Sequence, residues 1–300
     1  MKLLLFGKRG QVGWELQRSL AVLGEVVALD RAPQDHCGDL ADLEGIAKTV
    51  RHVRPDVIVN AAAYIAVDKA ESEPDLARTI NASAPDVLAR EAQRLGALLV
   101  HYSTDYVFDG SGDRPWVETD VPAPLSVYGS TKLSGERSIV DHCPRHLILR
   151  TSWVYSARGG NFIRTMLRLA QERDKLSVID DQHGAPTSAE LVADVTAHAI
   201  HRMVGASDGG LKLSGVYHLA AAGQTTWHGY ATHIMAQARR LRPEVPLKVQ
   251  QVAPVPTEAF PTPARRPRNS RLDTAKLGAA FGLTLPPWQQ GVDRVLEEIL

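Results

Sequence analysis

An apolar run that enters a glycine turn at the amino terminus constrains the fold more than any other feature of the chain. Residues 3–6 are all apolar, Gly7, Gly10 and Gly13 follow, and apolar residues then recur at helical spacing over residues 14–23. A buried strand, a glycine turn and a helix in this order are typical of a dinucleotide-binding unit. Glycine lets the backbone approach a pyrophosphate, and the helix amino terminus attracts phosphate. Because a tight turn also needs glycine for steric reasons, the motif depends on its context.

The next apolar run places an acid where such a unit needs one. The run over residues 26–30 ends in Asp30, 17 positions after Gly13, close to the ~20 expected for a carboxylate on the adenosine ribose. Arg31 follows, and a guanidinium pairs with the 2'-phosphate of NADP, so the choice between NADPH and NADH stays open. Asp39 and Leu40 are placed to flank the adenine; alternatively, Asp39 is the N-cap of the next helix.

Strand-like and helical segments alternate through the first half of the chain. Residues 57–63, 98–104 and 147–153 predict strands buried on both faces, and residues 75–95 and 128–140 predict helices. The alternation predicts an α/β fold with a doubly wound parallel sheet of the Rossmann type. Ligands of such sheets collect beyond the carboxyl ends of the strands. The segments expected there are residues 60–64, 103–106 and 151–155.

The pattern loosens after about residue 155, which indicates a smaller second lobe. The predicted helices of this part are residues 161–173, 190–204, 230–241 and 290–300, and the predicted strands are residues 176–179 and 215–220. Residues 1–155 are assigned to the dinucleotide-binding Rossmann domain, with segments that return to it within about 184–220. Residues 156–300 are assigned mainly to a C-terminal substrate-binding lobe. No strand or helix is assigned to the proline-rich stretch 252–267.

A tyrosine and a lysine at helical spacing are the candidate catalytic groups. Tyr128 and Lys132 are four residues apart, so they share one face of the predicted helix. A phenol, with an unperturbed pKa of ~10, is a poor acid at neutral pH unless positive charge lowers its pKa, and we expect Lys132 to supply that charge. Ser103 or Thr104 is placed to hydrogen-bond the reacting oxygen. The spacing alone is frequent by chance, but together with the glycine turn it indicates hydride transfer.

The composition is that of a globular enzyme. Of the 300 residues, 44% are hydrophobic and 23% are charged, and the totals of Lys+Arg and Asp+Glu are both 34. With no net charge, the chain has no global attraction for nucleic acid or an anionic membrane. Cys37 and Cys143 lack metal-ligand spacing, so both are expected to be reduced. The sequence shows no signal peptide and no run of ~18 apolar residues, and we expect a cytoplasmic protein.

Several further motifs together resemble one enzyme family. Besides the glycine turn and the Tyr128–Lys132 pair, they are residues 55–63, 66–71, 102–110, 150–155, 181–187 and 266–273. On these motifs the chain resembles an extended short-chain dehydrogenase/reductase, and within that superfamily the family of dTDP-4-dehydrorhamnose reductases. The resemblance covers nearly the whole length. The glycine turn and the Tyr–Lys pair occur across the superfamily, whereas the other motifs in combination are specific.

The resemblance implies reduction of the C4 ketone of dTDP-6-deoxy-L-lyxo-4-hexulose to dTDP-L-rhamnose, with hydride from NADPH or NADH. This reaction is the last step in making a sugar donor for bacterial surface polysaccharide such as O antigen. Tyr128 would donate the proton to O4, Lys132 would lower the pKa of the tyrosine and hold the nicotinamide ribose, and Thr104 would steady the oxygen. The residues implied for cofactor contact are Gly10, Gln11, Val12, Asp30, Asp39, Leu40, Ala62, Ala63, Tyr64 and Ile65. The residues implied for contact with the sugar nucleotide are Thr104, Asp105 and Trp153.

Two positions near these motifs bear on the reaction. Ile65 stands where the family commonly has threonine, so a hydroxyl near the site is lost. Asp105 and Tyr106 follow Thr104, where related 4,6-dehydratases have Asp-Glu, and without the second carboxylate carbonyl reduction is favoured over dehydration. The open alternatives are another sugar-nucleotide 4-reductase or epimerase and a non-catalytic NAD(P)-binding regulatory subunit.

Local groups must bind the diphosphate, since the net charge is zero. Asn161 either donates to phosphate or caps the following helix. Arg266, Arg268 and Arg271 form a basic cluster in the sequence that suits bidentate phosphate pairing, the alternative being solvated surface charge. Trp153 either contacts the substrate or packs between the lobes.

The resemblance also implies a metal and a second copy of the chain. Magnesium is implied at glutamates that meet at the interface of a homodimer, and Glu15 and Glu190 are the candidates. The alternative is that both are ordinary acids on helix surfaces, because a magnesium site needs several convergent oxygens. The 11 histidines show no metal-ligand spacing.

Overall fold

The computed structural model describes residues 1–32, 35–244 and 246–300. Its strands, in chain order, are β1 (Lys2–Phe6), β2 (Glu25–Leu29), β3 (Val57–Asn60), β4 (Leu98–Thr104), β5 (His146–Thr151), β6 (Val154–Tyr155), β7 (Lys175–Ile179), β8 (His183–Gly184), β9 (Thr187–Ser188), β10 (Gly215–His218), β11 (Thr225–Thr226) and β12 (Gln251–Val255). Its α-helices are α1 (Gln11–Ala21), α2 (Leu43–Val53), α3 (Val67–Ala70), α4 (Pro74–Arg78), α5 (Ala84–Leu95), α6 (Val127–His142), α7 (Phe162–Glu172), α8 (Ala189–Val204), α9 (Trp227–Leu241), α10 (Ala275–Phe281) and α11 (Trp288–Ile299). A π-helical turn covers Thr79–Ser83, and short 3-10 turns cover Asp105–Val107, Leu211–Leu213 and Thr257–Ala259.

One parallel sheet organises the first part of the chain. In the described residues its strand order is β10-β5-β4-β3-β1-β2, and every neighbouring pair is parallel. The order reverses between β1 and β3, so the chain leaves these two strands in opposite directions and a crevice opens between their carboxyl ends. Ligands of doubly wound sheets bind at this point. The predicted α/β fold with a doubly wound parallel sheet is confirmed.

Helices cover both faces of the sheet, so its central strands are buried on both faces. On one face, Leu3, Leu5 and Val57 pack against α1 and α8. On the other face, Leu4 and Phe6 join a cluster that includes side chains of α2, α5 and α6. Alternate residues of one strand thus enter two separate cores. No helix in the described ranges is both long and apolar enough to cross a membrane.

A second apolar core lies in the C-terminal part of the chain. Helices α7, α9 and α11 pack around Tyr155, Tyr230 and Trp288. Helix α10, by contrast, packs on the Rossmann sheet, because Leu277 and Phe281 belong to the core that contains α1 and α8. The division at residue 155 stays a prediction, which the two separate cores support.

Two predicted segments differ from the structure. Strand β12 lies in the proline-rich stretch to which no element was assigned, and it pairs in parallel with β7. Proline is rare within sheets because it has no N–H group to donate. Pro254 is exposed in a two-stranded pair, so its missing N–H interrupts no hydrogen bonding of a central strand. The predicted helix over residues 75–95 is interrupted by the π-helical turn Thr79–Ser83, a feature frequent near functional sites.

The packing of the glycine turn predicts at which glycine an added methyl group would destabilise the fold most. A Cβ at Gly13 would lie 2.0 Å from the carbonyl oxygen of Gly7. This clash is with the backbone, which cannot rotate away as a flexible side chain can. Gly13→Ala is therefore expected to lower the free energy of unfolding by about 2 kcal/mol, measured by urea denaturation. Gly10→Ala is the matched control, because its Cβ would approach the Gly7 oxygen only to 3.4 Å. Equal losses in the two variants would contradict this steric account.

Candidate active site

The glycine turn and the amino terminus of α1 form a cradle of backbone groups. Gly7 has a φ of +88°, and its amide and that of Lys8 both donate to the carbonyl of Leu29 at the end of β2. Gly10 precedes α1 with no side-chain cap on the helix. Packing requires glycine at Gly7 and Gly13 but leaves room for a methyl group at Gly10. Packing within the chain does not explain the glycine at Gly10, whereas the close approach of a phosphate to the amino terminus of α1 would. The cradle therefore fits a dinucleotide.

A cleft of about 440 Å³ adjoins this cradle. Its lining is Arg9, Gln11, Trp14, Arg158 and Gly159. The Gln11 side chain accepts hydrogen bonds from Ser156 Oγ (3.1 Å) and Asn161 Nδ2 (3.3 Å), which tie the second lobe to α1. The guanidinium of Arg158 lies 3.5 Å from the centre of a Trp14 ring. Sequence analysis did not identify Arg158, which lies far from the glycine turn in the sequence.

Asp30 is at the end of β2, as predicted, but it already has a cationic partner. Its Oδ2 lies 2.7 Å from Nε of Arg9, and its Oδ1 accepts the amide of Ala32 at 2.8 Å. Arg31 is exposed beside it. Arg9 was missed by sequence analysis, although its position within the glycine turn was the available signal. The end of β2 thus combines one carboxylate with the guanidinium of Arg9, and Arg31 is the next residue in the chain.

The alternative role of Asp39 as a helix N-cap is wrong. Asp39 Oδ1 accepts the amide of Ala41 in a local turn, whereas α2 is capped by Asp42, which accepts the amide of Gly45 at 2.9 Å. Asp39 and Asp42 are three residues apart, and the sequence suits either of them as the N-cap of α2. Only the path of the backbone decides which of the two caps the helix. Leu40 is buried in the core under α2. Cofactor contact by Asp39 and Leu40 stays a prediction.

The segment after β3 is held by an asparagine that sequence analysis missed. Asn81, on the π-helical turn, accepts the amide of Tyr64 (2.9 Å), donates to its carbonyl (3.0 Å) and also donates to Thr131 of α6 (3.3 Å). Thr79 and Ser83 are close to it in the sequence, so no local pattern distinguished Asn81 from other polar residues. Ala62 and Ala63 lie on the same segment, and a Cβ at Gly7 would come within 2.8 Å of the Ala62 nitrogen. Ile65 is 73% exposed, so its side chain fills no core position.

Tyr128 and Lys132 both lie on α6, which Ser126 caps by accepting the amide of Gly129. Tyr128 stands beside Thr104, and the ring of Tyr106 lies edge-on to it with centroids 5.5 Å apart. Lys132 is 2% exposed, and its Nζ donates to the carbonyl of Tyr102 at 2.5 Å. The structure therefore brings the phenol and the Thr104 hydroxyl together at the carboxyl end of β4 and buries the amine beneath them.

The pKa values of this group depend mainly on burial. Burial raises the pKa of Tyr128 to about 12, although the Thr104 hydroxyl opposes the shift. Burial lowers the pKa of Lys132 to about 8, and Glu136 opposes that shift. In the protein chain alone the phenol is thus less acidic than usual, contrary to the expected direction. Its acidification by Lys132 stays a prediction that depends on the charge of the amine.

Unpaired hydroxyl groups surround the same strand ends. The buried side-chain oxygens of Ser103, Thr151 and Ser152 make no hydrogen bond to the described parts of the chain. Buried polar groups are nearly always satisfied, so a cluster without partners indicates a place for a polar ligand or water. The ends of β4 and β5 therefore suit a hydroxylated substrate. Of the two predicted alternatives, Ser103 or Thr104, it is Thr104 that lies against the phenol.

Trp153 and Asn161 both have structural roles. Trp153 stacks on Trp227 with ring centroids 3.8 Å apart, and both pack against the second core. That it packs between the lobes stays a prediction, which this contact supports. Its φ of +49° is a strained conformation for a tryptophan, of the kind that clusters at functional sites. Asn161 caps α7 by accepting the amide of Arg164, which confirms that alternative. Substrate contact by Trp153 and Asn161 stays a prediction.

The three predicted phosphate arginines do not form one cluster. Arg266 makes a bidentate pair with Asp68 (3.0 and 2.7 Å) and lies next to Tyr106. Arg268 pairs with Glu258, whereas Arg271 binds Asn269 and Gln224. The extended backbone sends neighbouring side chains to different partners. Only Arg266 is thereby placed close to the catalytic tyrosine.

The acids proposed for magnesium do not form a site within one chain. Glu15 lies 3.5 Å from Arg18, and Glu190 lies 3.2 Å from Arg294. Burial raises the pKa of Glu190, and Glu15 is close enough to contribute. Among the described residues no group of three or more His, Cys, Asp or Glu side chains is placed to hold a metal ion. Two carboxylates that are already paired do not meet the oxygen demand of magnesium.

The buried carboxyl of Asp105 predicts a stability that depends on pH. Burial raises its pKa to about 6, opposed by hydroxyl groups of Ser270 and Thr104. An unfolded aspartate has a pKa of about 3.9, so the ionised form is disfavoured by folding above pH 6 and the penalty disappears as the pH falls towards 4. Asp105→Asn keeps an oxygen for Thr104. It is expected to raise the free energy of unfolding by about 1–3 kcal/mol at pH 8 and by about a third of that amount at pH 4.5. Urea denaturation at both pH values measures this, and an equal gain at both would contradict it.

Comparison with known proteins identifies the family. A protein-family model described as "RmlD substrate binding domain" matches residues 1–300. The dTDP-4-dehydrorhamnose reductase of Escherichia coli strain K12 is 56% identical over 299 residues, which cover 100% of this chain and 98% of that protein.

Solved structures agree with this result. A dTDP-4-dehydrorhamnose reductase from Clostridium acetobutylicum has a TM-score of 0.89 at 35% identity and covers 100% of this chain and 99% of its own. The Bacillus anthracis reductase in complex with NADP has a TM-score of 0.88 at 34% identity and covers 99% of both chains. Since the sequence and the fold agree over the full length, the chain belongs to the RmlD substrate-binding-domain family.

Proposed function

We propose that the chain reduces the C4 ketone of dTDP-6-deoxy-L-lyxo-4-hexulose (dTDP-4-dehydro-L-rhamnose) to dTDP-L-rhamnose, with NADPH or NADH. The observation that carries the proposal is Tyr128 beside Thr104, at the sheet edge that also holds the glycine cradle. Relatives that match the full length are named for this reaction, and one of them is solved with NADP. Intact catalytic groups in a family of reductases favour an enzyme over a regulatory subunit.

The side chains at the ends of β4 and β5 suit this chemistry. The nicotinamide supplies the hydride when it is bound. Tyr128 then gives its proton to the oxygen on which negative charge develops, and the Thr104 hydroxyl donates a hydrogen bond to that oxygen. Tyr106 packs edge-on against Tyr128 and excludes water from one side of the phenol. Ser103, Thr151 and Ser152 offer hydroxyl groups to the sugar.

The residue after Asp105 supports reduction over dehydration. A dehydratase needs an acid and a base, and here the position of the second carboxylate is taken by Tyr106. That side chain is buried against Tyr128, and burial raises its pKa far above the physiological range. Tyr106 therefore has no capacity to act as a base near neutral pH.

Loss of the phenol tests the proposal. Tyr128→Phe is expected to lower kcat/KM for the 4-keto sugar nucleotide by about 10³-fold, because the proton donor is removed. The affinity for NADPH, measured by fluorescence titration, should change little. Turnover is followed by NADPH oxidation, and the product is identified by NMR. Tyr217→Phe makes the same chemical change on β10, where the hydroxyl donates to Leu213, and serves as the control.

Two results of that experiment would contradict the proposal. Unchanged turnover in Tyr128→Phe would remove the role assigned to the phenol. Binding of NADPH by the parent protein without any substrate-dependent oxidation would favour the regulatory subunit. A product epimerised at C4 without net oxidation of the cofactor would indicate an epimerase.

We further propose that Arg9 lets the site accept the 2'-phosphate of NADPH. Its pairing with Asp30 offsets the carboxylate that would otherwise repel this phosphate, and the side chain of Arg9 is largely exposed, so it is accessible. Arg9→Gln should lower kcat/KM for NADPH by about 10-fold or more while leaving that for NADH nearly unchanged. Arg31→Gln is the matched comparison at the neighbouring arginine. Equal losses with both cofactors in Arg9→Gln would contradict this role.

We also propose that the protein is a cytoplasmic homodimer whose product serves bacterial surface polysaccharide such as O antigen. The described cysteines, Cys37 and Cys143, are both free thiols, as the cytoplasm favours. Helices α1 and α8 pack together; Trp14 on α1, Val22 just after α1 and Val204 at the end of α8 are exposed. A second copy that covers this surface would also bring a second set of Glu15 and Glu190, which magnesium would need.

A further inference from the structure

A chain of buried hydrogen bonds leads away from Lys132 through His101 and Asn60. Lys132 Nζ lies 3.2 Å from Nε2 of His101, and Nδ1 of His101 lies 3.1 Å from Nδ2 of Asn60. Asn60 Oδ1 accepts the amide of Ala62 at 3.2 Å. Asn60 and His101 are each 1% exposed. The chain therefore connects the catalytic helix to the segment after β3 without contact with solvent.

The donor and acceptor of each hydrogen bond in this chain follow from the backbone amide at its end, on Ala62. The Ala62 amide can only donate, so the Asn60 oxygen must face it and the Asn60 NH₂ group must face His101. Nδ1 of His101 is then an acceptor, and a neutral ring carries its proton on Nε2. The Nε2–H group points at Lys132 Nζ, which accepts only with a free lone pair. The arrangement therefore favours a neutral amine at Lys132.

A charged Lys132 would break this pattern. An ammonium group must donate to Nε2, which moves the ring proton to Nδ1 and places it against the Asn60 NH₂ group. Turning the Asn60 amide would relieve that clash but would leave two donors, the Asn60 NH₂ group and the Ala62 amide, facing each other. Either outcome leaves a buried donor unsatisfied, at a cost.

We propose that His101 is a positioning residue that presents Nε2–H to Lys132 and, through Asn60, couples the charge of Lys132 to the backbone after β3. The proposal rests on the function proposed above for Tyr128 and on the role that the family resemblance implies for Lys132. In this arrangement the hydrogen bond from His101 determines how readily the Lys132 amine takes up a proton.

Other groups near Lys132 do not replace this effect. Glu136, one turn along α6, favours the charged amine, but its carboxylate is already paired with Arg150 of β5 at 2.9 and 2.6 Å. The remaining titratable groups around this part of α6 are Tyr128 on the helix, His101, Asp105 and Tyr106 on or after β4, and Glu71 at the first turn. Burial keeps the pKa of His101 well below its usual value, and Lys132 lowers it further whenever the amine is charged, so the ring stays neutral.

The consequence concerns the acid in the reaction. With a pKa of about 8, Lys132 lies near the point where its charge can be gained or lost, and only the charged amine adds positive charge beside Tyr128. Burial raises the pKa of that phenol independently. Because the Ala62 amide lies on the segment predicted to contact the nucleotide, movement of that segment would release Asn60 and allow Lys132 to take up a proton. The acidity of Tyr128 would then depend on whether the nucleotide segment is in place.

Two variants of His101 separate this role from packing. His101→Gln keeps a donor near the Nε2 position, whereas His101→Asn keeps an acceptor near the Nδ1 position and loses the contact with Lys132. The ε-carbon of Lys132 is titrated by NMR in the full-length protein labelled with ¹³C-lysine, its signal being assigned through Lys132→Arg. His101→Asn is expected to raise the pKa of Lys132 by about one unit, and His101→Gln to leave it nearly unchanged. The NADPH affinity of each variant reports whether the fold is intact.

The outcome is decided by titration rather than turnover, so it is distinguishable from failure of the proposed function. Equal pKa values of Lys132 in the parent and both variants would overturn the proposal, and so would equal shifts in the two variants. If His101→Asn does not fold, Asn60→Asp replaces it. The carboxylate accepts from Nδ1–H, so the ring must accept from Lys132, and the pKa should rise. Asn60→Asp combined with His101→Gln measures how far the added carboxylate raises the pKa of Lys132 by its charge alone. A rise in that pKa equal to the rise in Asn60→Asp would also overturn the proposal.

Discussion

The close contact between helix α1 and the turn after β1 is the constraint on which the site depends. The backbone of Gly13 sits against the carbonyl of Gly7 with no room for a methyl group, and Gly7 in turn abuts the segment after β3. The turn is also bonded to the end of β2. Three strand ends are thereby held together at the point where the strand order reverses. The amino terminus of α1 then faces the crevice with its backbone N–H groups.

The catalytic groups are positioned by a different set of contacts, on β4 and α6. Strand β4 is buried along its whole length; Tyr102 joins the core that contains α1 and α8, and Thr104 is the last residue of the strand, at the crevice. Helix α6 lies across this strand and brings Tyr128 to Thr104. The same crossing buries Lys132 over the Tyr102 carbonyl and His101. Asn81 joins the two sets, since it binds both the segment after β3 and α6.

Burial, rather than the distance between charges, dominates the electrostatics of the site. It raises the pKa of Tyr128 and of Asp105 and lowers that of Lys132, so each group tends towards its neutral form. The i, i+4 spacing predicted a face shared by Tyr128 and Lys132, and it could not indicate how little water reaches that face. Desolvation is a property of everything packed around a side chain, which local sequence does not contain.

The sequence by itself determined the α/β class, the glycine cradle, the helix that carries Tyr128 and Lys132, and Asp30 at the end of β2. These follow from short-range periodicity and from backbone geometry that only glycine permits. Tertiary structure alone decided that Arg9 pairs with Asp30, that Asp42 rather than Asp39 caps α2, and that Arg266, Arg268 and Arg271 have separate partners. It also decided that His101 and Asn60 lie behind Lys132. Each of these outcomes depends on which side chains meet when distant segments pack, and no local pattern along the chain records that.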